Sequence, residues 1–212
     1  MDFSKNKYAI FSFFGIIIFI ILAIQVYLGL SITYFDSAFN SWLISNNLSI
    51  WNASLVIAYI FGTPGFVLLC ILLAVISAFR GKNSHTLFIL GTMLLTGGIG
   101  YIMKIIIHRA RPESIILETD FSFPSGHSLY SFVLISIIFY LFFSEIKNIR
   151  NKRIAAVSLS LLVFAVGFSR LYLHVHWFSD ILGGWALGIF LFSLAAFVHE
   201  KYKRLDKKNI GF

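Results

Sequence analysis

The sequence predicts an all-α, polytopic membrane protein: a six-transmembrane-helix bundle with an outer interfacial helical segment. Three observations carry that prediction. Of the 212 residues, 58% are hydrophobic and only 12% charged, with a mean hydropathy of +0.87, whereas a soluble domain carries about 25% charged residues. The apolar residues gather into runs of up to membrane-crossing length, about 20 residues, separated by short polar loops. The lysines and arginines sort onto alternate loops, as they do when a multi-pass chain encodes its orientation. The same composition excludes disorder, because that much apolar surface cannot stay solvated. A single cysteine, Cys70, excludes an intrachain disulfide framework and a cysteine-based zinc cluster.

Each element follows in chain order. Run 8–30 exceeds the apolar core of a signal peptide, about 7–15 residues, and lacks a small-x-small cleavage pattern, so it reads as a retained first helix. Residues 31–62 are milder. Phe35, Phe39, Trp42 and Leu43 recur at helical spacing, with Asp36, Asn40 and Ser41 between them. With Trp51, this segment reads equally as a helix in the membrane interface or as an ordinary packed surface helix. Gly62-Thr63-Pro64-Gly65 breaks the chain, and Pro64 suits the first turn of a second span, 64–79. The remaining spans are 87–107, 125–143, 154–169 and 177–198, all within one domain, 1–212. Gly97, Gly98 and Gly100 in the third span, and Gly183, Gly184 and Gly188 in the sixth, read as sites of close helix packing. Cys70, in mid-span, reads as a small apolar packing residue.

Six spans put both termini on one side. Thirteen of the 17 lysines and arginines then lie there: Lys5, Lys7, Arg80, Lys82, Lys147, Arg150, Lys152, Arg153, Lys201, Lys203, Arg204, Lys207 and Lys208. The positive-inside rule makes that side cytoplasmic, so the net charge of +8 reports topology and not nucleic-acid binding. Lys104, Arg109, Arg111 and Arg170 defy the bias. His127 lies beside them at the start of the fourth span, and His174, His176 and Asp180 at the start of the sixth. Ionisable residues at such depth are functional candidates.

Their spacing makes chemical sense. Lys104 and Arg111 are two helical turns apart and share a face if the helix continues to Pro112. Ser125 is a good helix cap, and the Gly126 N–H at a positive helix end favours an anion. His176 and Asp180, four apart, share a helix face, so the carboxylate can orient the imidazole. Cations, a helix start and two histidines together describe a phosphoryl-transfer site.

Lys104-x6-Arg111-Pro112, Pro124-Ser125-Gly126-His127 and Ser169-Arg170-x5-His176-x3-Asp180 resemble the three signature motifs of the type 2 phosphatidic acid phosphatase superfamily. All three are complete, in order and at family spacing. The resemblance implies a membrane lipid phosphatase working through a phosphohistidine, with no metal and no other cofactor. His176 would be the nucleophile, Asp180 its orienter and His127 the general acid and base. Lys104, Arg111, Arg170, Ser125 and the Gly126 N–H would hold the phosphoryl oxygens, with Pro112, Pro124 and Ser169 as motif support. Undecaprenyl diphosphate is the substrate the outward-facing site favours, in a plasma membrane of bacterial type. Phosphatidylglycerol phosphate and phosphatidic acid are the alternatives.

Other readings stand beside this one. A transporter of an anionic lipid or phosphate also needs membrane cations, but predicts polar residues continuing through the bilayer. An inactive, lipid-binding scaffold predicts an incomplete motif. His174-Val175-His176 has metal-ligand spacing, and Glu113, Glu118 and Asp120 could add carboxylates, although loop acids ordinarily face water. Arg109 lies outside the motif and reads as partner to an interfacial lipid or a carboxylate, or as a substrate contact. His108 reads as an interface residue, and His85 and His199 as structural or surface residues.

Overall fold

The computed structural model describes residues 3–43 and 46–209, apart from the side chains of 3–5, 204 and 206–209. The side chains of Lys5, Arg204, Lys207 and Lys208, used in the charge count, lie outside the described residues. The described residues form eight α-helices: α1 (Phe3–Tyr27), α2 (Ser31–Trp42), α3 (Leu48–Phe61), α4 (Thr63–Phe79), α5 (Asn83–Ile107), α6 (Gly126–Phe142), α7 (Ile149–Tyr172) and α8 (Phe178–Asn209). Five helical stretches are long and apolar enough to cross a membrane.

The count of six spans is reached only by joining α3 and α4, which meet at a bend of 50°. Alone, the 17 residues of α4 extend about 26 Å at the usual helical rise, short of a hydrocarbon core of about 30 Å. The cause of the bend is local. Pro64 occupies the first turn of α4, and a side chain at Gly65 would put its Cβ 1.8 Å from the Ile60 carbonyl oxygen. Segment 31–62 is therefore not one interfacial piece. Its first half, α2, packs on α1 and α8, with Phe35 and Phe39 5.6 and 5.1 Å from Phe178. Its second half, α3, packs along α7.

α6 and α8 form the centre. Leu129, Val133 and Ile137 of α6 and Leu187 and Leu191 of α8 are buried together. Close approach depends on glycine: a Cβ at Gly184 would meet the Ser125 carbonyl oxygen at 2.7 Å, and one at Gly183 the Phe123 ring at 2.5 Å. The packing role expected of the α8 glycines holds. It does not hold for Gly97 and Gly98 of α5, where an added Cβ meets nothing within 4 Å. Cys70 is fully buried and packs as expected. The outer faces of α1 and α7 show Phe11, Phe14, Ile18, Leu161 and Phe164 exposed in rows, a surface suited to lipid.

The bundle has two distinct ends. At one, Lys82 meets Glu145 at 3.0 Å, the Lys203 ammonium donates to His85 at 3.3 Å, and Tyr8 packs on Tyr140. Tyr140 also lies against His199 and Glu200 of α8, so α1 begins where α8 ends. The other end carries α2, the 108–125 loop and the start of α8. That loop is long for a compact fold. It is tied down by Ser122 N–H donating to Arg109 O at 2.9 Å and Trp177 Nε1–H donating to Ala110 O at 2.9 Å.

Candidate active site

The chain leaves α7 in a tight turn that delivers His176 into the interior. Val175 N–H donates back to Arg170 O at 3.2 Å, and His174 takes a left-handed conformation (φ 51°). The expectation that His176 and Asp180 share a helix is corrected: α8 begins at Phe178, and His176 precedes it. The two still meet, His176 Nδ1 lying 3.2 Å from Asp180 Oδ2, with both residues buried. Asp180 Oδ2 also accepts the Trp177 N–H at 2.9 Å. The Asp180 carbonyl accepts the Ser125 N–H at 3.0 Å, which joins the starts of α6 and α8.

A carboxylate at Nδ1 assigns the ring proton there, leaving Nε2 with its lone pair. Nε2 lies 3.2 Å from Arg111 Nη1, which can only donate. Burial, then the charges of Arg111, Lys104 and Arg170, hold the His176 pKa well below the usual imidazole range. The ring is therefore neutral, and its unprotonated Nε2 accepts from Arg111, a contact that must be released before this nitrogen could attack anything. Lys104, Arg111, Gly126, His127 and His176 line one cavity of about 490 Å³, together with Glu118 and Asp120.

The three motif cations converge on the acids of the loop. The third span ends at Ile107 as expected, with His108 left-handed (φ 54°), so the condition under which Lys104 and Arg111 would share a helix face is not met. Lys104 and Arg111 are brought together through Asp120 instead. Lys104 Nζ is 2.8 Å from Asp120 Oδ2 and Arg111 Nη2 pairs with Asp120 Oδ1. Arg170 Nη2 is 2.5 Å from Glu118 Oε1, and Arg111 Nη2 is 3.8 Å from Glu118 Oε2. Glu118 and Asp120 are thus not merely water-facing. Burial raises the Asp120 pKa, but bonds and charges from Lys104 and Arg111 outweigh it, so the carboxyl ionises more readily than usual. Among the described residues, no group of three histidine, cysteine or acidic side chains has a geometry to hold a metal ion.

The remaining motif residues take separate places. His127 Nε2 lies 3.1 Å from the Ala58 carbonyl of α3 and can only donate to it, which leaves Nδ1 as its acceptor. Ser125 caps α6, its Oγ 3.4 Å from Ser128 N, so the hydroxyl is turned into the helix start. Ser169 Oγ donates to Val166 O at 2.7 Å within α7, away from the cavity lining. Pro112 and Pro124 are buried at the two ends of the loop. His174 Nδ1 pairs with Asn40 Oδ1 at 2.8 Å, not with His176. His108 is exposed, its ring tilted against that of Phe121.

One cluster was missed from the sequence. Arg109 Nη1 lies 2.6 Å from Asp180 Oδ1 and Nη2 lies 2.6 Å from Asp36 Oδ2. Asp36 also accepts the Ser179 N–H at 2.9 Å and its hydroxyl at 2.5 Å. The carboxylate reading of Arg109 was open in the sequence. Asp36 was not singled out, and its only signal was an acid on a mildly amphipathic helix.

These features define a class: a multi-pass helical membrane protein with a buried histidine–aspartate pair set against converging cations. Residues 85–204 match the PAP2 superfamily, and the chain belongs to that family. Among its relatives is phosphatidylglycerophosphatase B of Bacillus subtilis (strain 168), 35% identical over 123 residues, covering 55% of this chain and 61% of the relative. Human dolichyldiphosphatase 1 is 29% identical over 157 residues, covering 68% of this chain and 65% of the relative. The chain thus spans under two thirds of the length of these curated relatives. A crystal structure of a transmembrane PAP2-type phosphatidylglycerolphosphate phosphatase from Bacillus subtilis superposes with a TM-score of 0.76 at 25% identity, covering 88% of this chain and 94% of that one.

Proposed function

We propose that this chain is a metal-independent lipid phosphatase that transfers the phosphoryl group to His176. The observation that carries the reading is the orientation of that ring. Nδ1–H is held by Asp180, and Nε2 lies next to Arg111 in a cavity shared with Lys104 and His127. The names of the relatives support the reading, since both are phosphatases.

The chemistry follows from the donors present. The substrate phosphate takes the cations from Glu118 and Asp120, and Lys104, Arg111 and Arg170 then hold its oxygens. Arginine does this with two prongs and lysine as a compact charge. Nε2 of His176 attacks phosphorus, the P–N bond forms and the bond to the leaving oxygen breaks; His127, which must first take up a proton at its free Nδ1 from the incoming phosphate monoanion, passes that proton to the leaving oxygen. Asp180 stabilises the resulting imidazolium. Water then attacks phosphorus, His127 takes its proton, the P–N bond breaks and phosphate leaves.

Undecaprenyl diphosphate is the proposed substrate, with the site on the extracellular face and both termini cytoplasmic. A relative named for a polyprenyl diphosphate supports the diphosphate headgroup. Phosphatidylglycerol phosphate is the second reading, favoured by the Bacillus relative. Purified protein in detergent should release phosphate from one of prenyl diphosphate, phosphatidylglycerol phosphate or phosphatidic acid, keep its rate in EDTA and be inhibited by orthovanadate. Vanadate bonded to a histidine mimics the five-coordinate transition state. Binding of these lipids without phosphate release would overturn the enzyme reading, and loss of activity on chelation would restore a metal.

A further inference from the structure

The Arg109 cluster does more than brace the loop. We infer that Asp36 and Arg109 are positioning residues for the proposed phosphohistidine chemistry: Arg109 locks the Asp180 carboxylate, and Asp36 holds Arg109 and supplies the negative charge that phosphorylation of His176 consumes. The inference rests on the lipid-phosphatase reading and extends it to α2, which lies outside the matched family region.

The geometry is a relay in which both oxygens of Asp180 and both terminal nitrogens of Arg109 have partners. His176 Nδ1 and the Trp177 N–H hold Asp180 Oδ2, and Arg109 Nη1 holds Asp180 Oδ1. Arg109 Nη1 also donates to the Ser179 hydroxyl at 2.7 Å, while Nη2 reaches Asp36. Ser179 in turn is fixed by Asp36 through both its N–H and its hydroxyl. The guanidinium lies over the Trp177 ring, 5.4 Å from its centroid. The Asp180 side chain is therefore held at both oxygens, and through it the Nδ1 side of the imidazole. Lysine could not replace Arg109, because one ammonium cannot span two carboxylates with a planar fork.

The charge count gives Asp36 a second role. Two buried carboxylates around one guanidinium leave a net charge of −1 beside neutral His176. Bond formation from Nε2 to phosphorus makes the ring a cation, and the enclosed set becomes neutral. With asparagine at 36, the set would begin neutral and end at +1, enclosed where an uncompensated charge is costly. The penalty falls on the step that forms the imidazolium and not on phosphate binding, which uses Lys104, Arg111 and Arg170.

The test is a double-mutant cycle on full-length protein in detergent, with a prenyl diphosphate as substrate. Asp36→Asn should lower kcat by about 10–100-fold, the range for outer partners of a functional histidine. KM, and inhibition by inorganic phosphate, should be unchanged. In an Asp180→Asn background the same substitution should cost clearly less, because the part of its effect carried through the Asp180 carboxylate is gone and only its own charge remains to be lost. If Asp36→Asn does not fold, Arg109→Lys carries the cycle with the same expectation. Wild-type kcat in the variant overturns the inference. So does an equal loss in both backgrounds, or a rise in KM matching the fall in kcat, since either marks a merely structural role. A wild-type protein that turns over none of the lipid phosphates refutes the phosphatase reading itself, a failure seen before any variant is made.

Discussion

Two sets of ion pairs meet at His176, and they differ in what surrounds them. Arg109 is paired with Asp36 and Asp180, whose side chains are 0% exposed. Lys104, Arg111 and Arg170 are paired with Glu118 and Asp120, whose side chains are 28% and 50% exposed. Removing one partner of a buried pair leaves a charge that water cannot reach. An exposed acid that loses its partner is solvated instead. The first set is thus permanent scaffold, while the second can exchange one anion for another. Under the proposed function, a substrate phosphate displaces the loop acids and leaves the Arg109 set untouched.

The largest expected effects come from the permanent side. His176→Ala should lower turnover by about 10⁴-fold or more, as when a nucleophile is removed from a catalytic unit, with no acid-labile phosphoenzyme from substrate labelled in its terminal phosphate. Near-normal turnover would refute the mechanism. The next effects concern the exchangeable cations. Arg111→Lys and Arg170→Lys should each cost about 10²–10³-fold in kcat/KM, the scale of losing one preorganised donor to a charged transition state. A loss confined to the Arg109 set would dissolve the distinction.

The loop acids should have the opposite sign. Glu118→Gln with Asp120→Asn removes the competing anions without touching the cations. Inorganic phosphate should then inhibit about 2- to 10-fold more tightly, since partly exposed pairs are worth about 0–1 kcal/mol each. Weaker inhibition would mean that the acids hold the cations in place for the substrate. The acid limb of kcat/KM offers a quieter test. Burial and the neighbouring cations lower the His176 pKa, so protonation of the proposed nucleophile should contribute to the acid limb only below the usual imidazole range. Arg111→Gln should move the limb upward. The smallest effect belongs to the opposite end of the bundle, where Glu145→Gln, breaking the exposed contact to Lys82, should leave kcat/KM unchanged in a phosphate-release assay.

Different parts of this arrangement were legible in the sequence to different degrees, for physical reasons. His127, His176, Asp180 and the motif cations could be singled out as candidates because cations against the topological bias are conspicuous, and because three motifs resemble those of a known family. Arg109 was conspicuous for the same reason, but its function depends on which carboxylate it meets. Asp36 could not be singled out, because a buried and an exposed aspartate on a mild helix look alike in sequence. Glu118 and Asp120 were read as water-facing because loop acids ordinarily are. Gly97 and Gly98 misled in the other direction: a small residue marks close packing only when a neighbour is there, as Ser125 is at Gly184.

What the sequence determined by itself is the helical membrane class, the order of the apolar elements and the cations that need an explanation. Composition and periodicity act over a few turns, and the bilayer enforces them on every span. The tertiary structure alone decided the pairings, because they join residues far apart in the chain. Asp36 lies 73 positions from Arg109 and 143 from Ser179, and Arg170 lies 52 from Glu118. Only the packing of α2, α7, α8 and the 108–125 loop at one end of the bundle decides which charges lose water together, and that loss of water separates a fixed support from an exchangeable one.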